Sequence, residues 1–116
     1  MSFHAGLSSP ANIKTSPYSS SKVHYTLEWV SESITPITAF KLQWKPEDAE
    51  DADWSEEIRV SPRDNGDHFF SGKRVFEGLA PAHHYDVRIA SENKYGFSQY
   101  GEPFTFGTKG AGKTTW

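Results

Sequence analysis

The chain has 116 residues, a formal net charge of -3, no cysteine and 15% aromatic residues. That length supports one domain able to bury about two thirds of its unfolded surface, and the aromatic content argues against disorder. The charge excludes a basic footprint for nucleic acid, and the missing cysteines exclude a disulfide framework and a cysteine-based zinc site.

Residues 1–9 read as a flexible lead-in. Met1–Leu7 is too short and too polar for a signal peptide. No apolar run approaches the ~20 residues that a membrane helix needs, so any link to a membrane would lie in parts of a parent protein outside this chain. A short edge strand is predicted over Pro10–Lys14, where prolines are tolerable because an edge can spare an N–H.

Val23–Val30 alternates, with Val23, Tyr25, Leu27 and Trp29 on one face and His24, Thr26 and Glu28 on the other. That period of two predicts a half-buried strand. Ser31–Pro36 is a turn cluster. Thr38–Lys45 alternates again, placing Phe40, Leu42 and Trp44 inward, with an exposed sheet-face position the alternative for Trp44. The charged loop Glu47–Asp53 follows, then a third run, Trp54–Val60, in which Trp54 could cover an edge. Pro62–Asp67 carries Asn65-Gly66, a tight-turn signal. Phe69–Glu77 is a less regular strand, Gly78–His84 a corner, and Tyr85–Asn93 alternates through Tyr85, Val87, Ile89 and Ser91. Lys94–Gly101 is a loop, and Pro103–Thr108 closes the pattern with Phe104 and Phe106 on one face.

No segment sustains a 3.6-residue period. Short strands separated by turns predict an all-β chain whose strands bury one face against a second sheet. The expected domain spans residues 10–109, with 110–116 a flexible tail.

Several motifs could carry chemistry. Gly107–Thr114 fits G-x-x-x-x-G-K-[ST], but it follows a strand of an all-β pattern and no helix is expected after it to complete a phosphate cradle, so a flexible tail is the expected reading. Glu47–Asp53 holds five carboxylates in seven residues without the mid-loop Gly of a calcium loop, and reads as a solvated loop. His83 and His84 are adjacent and would point to opposite faces of a strand, and His68 lies upstream, so rim positions are expected and no metal site. No nucleophile–base spacing is present. No cofactor and no catalytic residue is assigned. Tyr95, Phe97 and Tyr100 share one loop and are the candidate protein-contact residues, unless some fold back onto the sandwich. Asn12, Asn65 and Asn93 lack a Ser or Thr two places on, so no N-glycan is expected, and Asn65-Gly66-Asp67 is not the Arg-Gly-Asp order that integrin ligands use.

Taken together, Trp29, Pro36-Ile37 with Phe40-x-Leu42-x-Trp44, Leu79-x-Pro81-x-x-x-Tyr85, Tyr85-x-Val87-x-Ile89-x-Ser91-x-Asn93-x-x-Gly96-x-Ser98 and Phe104-x-Phe106-x-Thr108 resemble the fibronectin type III domain in order and spacing. The resemblance covers residues 10–109. It implies an immunoglobulin-like antiparallel β-sandwich of about seven strands, with Trp29, Phe40, Leu42, Leu79, Pro81, Tyr85, Val87 and Ile89 as structural core. Tyr85 would form a tyrosine corner, its hydroxyl bonding back to the main chain of the corner. Ser91 stands where the family usually has Ala, and the usual proline pair after the second strand is missing.

Within the family, Ser33–Phe40, Trp54-x-x-x-Ile58 and Ala90–Asn93 resemble the type III domains of immunoglobulin-superfamily neural adhesion molecules such as neural cell adhesion molecule and insect fasciclin-like proteins. This implies a non-catalytic interaction or spacer module of an extracellular, plasma-membrane adhesion or guidance receptor. Its expected partners are neighbouring immunoglobulin or type III domains and an extracellular protein ligand. The alternatives are an intracellular, muscle-type module of the same fold, or an accessory carbohydrate-binding module of an enzyme.

Overall fold

The computed structural model describes residues 12–111. The lead-in, the start of the predicted Pro10–Lys14 strand, most of the tail and the end of the phosphate-loop pattern lie outside the described residues. Nine strands occur among them: β1 Asn12–Ile13, β2 Tyr25–Glu32, β3 Ala39–Pro46, β4 Ile58–Val60, β5 Arg63–Gly66, β6 Phe69–Phe76, β7 His84–Asn93, β8 Gly96–Phe97 and β9 Phe104–Gly107. The sole helical element among the described residues is a 3-10 turn at Asp51–Asp53.

The strands form two antiparallel sheets. One runs β1-β2-β6-β5; the other runs β4-β3-β7-β8, with β9 also paired to β7. The fold is therefore the all-β sandwich that the alternating patterns predict. Leu27, Trp29, Phe40, Leu42, Val87 and Phe106 are fully buried between the sheets. Their rings interlock. Tyr25 stacks on Phe106 at 4.1 Å, Phe76 and Tyr85 each approach Phe106 at 5.6 Å, and Trp44 packs on Phe76 and Tyr85 at 5.4 and 5.6 Å. Trp29 meets Phe40 in a T-shaped pair at 5.3 Å. Such pairs contribute about 0.5–1.5 kcal/mol each beyond the area they bury.

Trp29 is accommodated by its cross-strand neighbour. It pairs with Gly72, and a Cβ there would collide with the indole Cζ2 and stand 2.5 Å from Cε2. Glycine at this position is a gap left for a ring.

Tyr85 is buried, and its hydroxyl accepts a hydrogen bond from the Ala80 N–H at 2.8 Å. Thr108 reinforces the corner: its hydroxyl donates to Ala80 O at 2.7 Å and accepts from the His83 N–H at 3.0 Å. At the other side of the core the Tyr25 hydroxyl donates to Ser16 O at 2.7 Å and meets Thr15 Oγ1 at 2.9 Å, pinning the segment that precedes β2. Burial raises the Tyr25 phenol above its ordinary range, and the bond to Thr15 opposes this in part.

Four expectations need correction. Val23 does not join the inner face: β2 begins at Tyr25 and Val23 is 49% exposed, because Ser19 and Ser21 take up the turn that leads into the strand. Pro81 is exposed and lies outside the core, on the corner that Tyr85 and Thr108 hold from within. The tight turn after β5 is centred on Asp67 and His68, both at positive φ (55° and 70°), while Gly66 (φ 87°) pairs with Phe69 and the bulge falls between Asp64 and Gly66, leaving Asn65 unpaired in the ladder. A two-residue hairpin needs two left-handed residues in succession, and Asp accepts that conformation. Finally, the Trp54–Val60 run pairs only over Ile58–Val60, since Trp54 leaves the strand to lie across the sheet.

The two ends of the sandwich differ. β1 begins where Asn12 pairs with Val30, near the end of β2, and β9 finishes where Gly107 pairs with His84, at the start of β7. The loops after β2 and β7 share the first end, because the Thr38 N–H donates to Glu92 O at 2.7 Å. Four of the exposed large apolar side chains, Ile34, Phe69, Tyr95 and Phe97, gather there.

Candidate interaction face

The outer face of the five-stranded sheet carries an ordered layer of cations and rings. β3 and β7 are in register with Gln43 opposite Arg88, Lys41 opposite Ala90 and Lys45 opposite Asp86. Strand alternation turns these side chains away from the core. The segment before β4 and the loop after β8 return over them and supply aromatic rings.

At the centre, the Arg88 guanidinium lies 4.4 Å from the Trp54 ring and 4.5 Å from the Tyr100 ring. Its Nε–H and Nη2–H both donate to Gln43 Oε1, at 3.0 and 2.5 Å. Gln43 is itself oriented, because its Nε2–H donates to Ser55 O at 2.9 Å. Cation–π contacts of this kind contribute about 0.5–1 kcal/mol when exposed and more when desolvated.

On one side of Arg88, Lys45 Nζ sits 5.1 Å from the Trp54 ring. Lys45 is buried at 4% exposure, donating to Ala49 O at 2.9 Å and lying 3.4 Å from Asp86 Oδ2. It thereby anchors the first turn of the acidic loop, whose carboxylates at 47, 48, 50, 51 and 53 remain exposed. On the other side, Tyr100 donates its hydroxyl to Glu57 Oε2 at 2.8 Å, and Lys41 Nζ lies 3.7 Å from the same carboxylate oxygen and 3.9 Å from the Phe97 ring. Burial raises the Tyr100 phenol far above its ordinary range, and Glu57 raises it further through the hydrogen bond and its charge, with Arg88 opposing. Arg59 closes the layer at 2.8 Å from Glu92.

The three loop aromatics therefore have different fates. Tyr95 is 69% exposed and Phe97 48% exposed, whereas Tyr100 folds back onto the sheet beside Arg88. Trp44 faces inward onto Phe76 and Tyr85. The buried Lys45 and the stacking of Trp54 on Arg88 have no sequence signal, because both join segments that only the fold brings together. The histidines take rim positions: His83 Nδ1 lies 2.7 Å from Pro81 O, and His84 lies 3.9 Å from Glu47. Among the described residues no group of His, Asp or Glu is placed to hold a metal ion. The opposite sheet bears a broad open groove that Lys14, Glu28, Arg63 and Lys73 line with mixed charge.

This architecture is that of an immunoglobulin-like β-sandwich. Residues 8–107 match the family described as the fibronectin type III domain, and the chain belongs to that family. Solved structures similar to it include one described as a myokine (16% identity, TM-score 0.66, 89% of this chain and 98% of the other). A fibronectin type III domain of human contactin 1 is similar at 12% identity and TM-score 0.62, over 94% of this chain and 84% of that one. The twitchin kinase region from C. elegans is similar at 22% identity and TM-score 0.52, over 77% of this chain and 14% of that one. No curated protein matches the sequence.

Proposed function

We propose that this domain is a non-catalytic interaction and spacing module of a cell-surface adhesion or guidance receptor. The observation that carries the reading is the layout of the sandwich. The interior is filled by interlocked rings, β1 begins and β9 finishes at opposite ends of the sandwich, and exposed apolar side chains collect at the end where β1 begins. Such a body suits linear arrays in which loops and sheet faces meet neighbours. The likeness of Ser33–Phe40 and Ala90–Asn93 to neural adhesion molecules, and the shared fold with a contactin domain, support a place outside the plasma membrane.

Partner contact is assigned to Tyr95 and Phe97, with Tyr100 acting from within the sheet-face layer. A carbohydrate platform is less well supported, since sugar stacking needs open ring faces and Trp54 and Tyr100 each give one to Arg88. The test is immunostaining with an antibody raised against this domain. Staining of unpermeabilised cells that make the parent protein is expected; staining only after permeabilisation would favour the intracellular alternative.

A further inference from the structure

The chemistry that a partner must present can be read from the charges of the sheet face, an inference that rests on the interaction role proposed above. Each cation there has a carboxylate except one. Lys41 has Glu57, Lys45 has Asp86 and Arg59 has Glu92. Arg88, at the centre, has no carboxylate within ion-pair distance among the described residues. It is instead fixed by neutral groups. Trp54 and Tyr100 contact its guanidinium, and Gln43 holds the edge formed by Nε and Nη2.

A guanidinium has five donors in a rigid fork, and with Nε–H and one Nη2–H given to Gln43, the Nη1–Nη2 edge keeps the donors for two parallel hydrogen bonds to a carboxylate. In Arg88 the flexible stem is already ordered and the plane already set, so the entropy that usually opposes such a contact has been lost during folding. Glu57, on the same face, is engaged by the Tyr100 hydroxyl and by Lys41. The Trp54 and Tyr100 rings against the guanidinium keep water from its faces, which lowers the local dielectric and strengthens a charged contact.

We infer that Arg88 is a preformed receptor for the carboxylate of an Asp or Glu side chain on a protein partner, with the exposed Phe97, which lies over Lys41 on the same face, as an apolar contact. A free carboxylate ligand has the same chemistry, and two measurements separate the sources.

The first measurement is an NMR titration of the whole chain with sodium acetate at constant ionic strength, with chloride as control. The Arg88 Nε–H and Trp54 indole N–H should shift saturably, at least threefold more than with chloride. The second is selection of a phage-displayed 12-residue peptide library on the same protein. Enriched peptides should carry Asp or Glu beside an apolar residue, and Arg88→Lys should weaken them at least tenfold. Gln43→Glu is the companion variant, since it gives Arg88 a carboxylate of its own and should abolish both responses while the chain stays folded. Lys73→Gln, on the other sheet, should change neither. The proposal is overturned if acetate gives no saturable shift at Arg88, if selected peptides lack acidic residues, or if they bind Gln43→Glu as well as wild type. Acetate binding with no acidic peptide enriched overturns the protein-partner assignment in favour of a small carboxylate. None of these outcomes depends on where in the cell the parent protein lies, so this inference and the cell-surface reading fail separately.

Discussion

Replacing Gly72 with alanine tests the packing of the core at its tightest point. The added Cβ would collide with Cζ2 of Trp29 and lie 2.5 Å from its Cε2 and 2.9 Å from its Nε1. Carbon atoms rest at about 3.5–4.0 Å, so the indole must retreat by about 1 Å or more. It has little room to do so, being fully buried and set edge-on against Phe40. Overpacking of this kind costs about 1–3 kcal/mol. The opposing gain from replacing a strand glycine is roughly 0.5–1 kcal/mol. A net loss of about 1–2 kcal/mol follows, which in a domain of this size lowers the melting temperature by roughly 5–15 °C. Urea unfolding followed by circular dichroism and by tryptophan fluorescence should show an earlier midpoint with an unchanged slope. In a Trp29→Leu background the same glycine change should be neutral or better, giving a coupling of about 1–3 kcal/mol. A Gly72→Ala chain as stable as wild type, or a cost that persists undiminished in the Trp29→Leu background, would refute the reasoning.

Ser91 presents the opposite case, since its hydroxyl is fully buried without a hydrogen-bond partner. Ser91→Ala should stabilise the fold by about 1 kcal/mol in urea unfolding, and a destabilised variant would count against it. Tyr85→Phe strands the Ala80 N–H and should cost about 1–2 kcal/mol, visible as faster exchange of that amide. Lys45→Ala leaves Asp86 half-buried without its cation and frees Ala49 O, so a loss of about 3 kcal/mol is expected by thermal unfolding. In an alkaline absorbance titration Tyr25 and Tyr100 should ionise above the usual tyrosine range near ~10. Because their folded pKa values are raised, their contribution to stability is complete below that pH and lost as pH climbs through the folded values. Tyr100→Phe should remove one late-titrating phenol; an unchanged late fraction would contradict the placement of Tyr100 beside Glu57.

The inner faces of the sheets were legible because strand alternation writes them locally. Leu27 and Trp29, Phe40 and Leu42, Val87 and Ile89 each stand two residues apart and are buried together. Where the pattern misled, a local device overrode it. Val23 continues the alternation of β2, yet the serines before it bend the chain away. Asn65-Gly66 is a strong turn dipeptide, but the register of β5 against β6 puts a bulge at Asn65, pairs Gly66 with Phe69 and moves the reversal to Asp67 and His68. The outer face was legible only in outline, through the edge-covering position offered for Trp54 and the fold-back allowed for the loop aromatics, and the contacts among its residues were not. Lys41, Gln43, Arg88, Trp54 and Tyr100 come from four separate segments, and nothing in their spacing announces that Arg88 will lie between two rings. The burial of Lys45 was hidden for the same reason, since its acceptors on the following loop appear only once that loop has folded back.

The central claim is that two sheets close over Trp29, with Gly72 leaving the space its ring fills. The most direct test is a nuclear Overhauser measurement on isotopically labelled protein. Strong cross-peaks from the Trp29 Hζ2 proton to the Gly72 Hα protons and to the Phe40 ring, with an indole N–H that exchanges slowly with solvent, are expected. An indole N–H that exchanges rapidly and shows no contact with Gly72 would contradict the account.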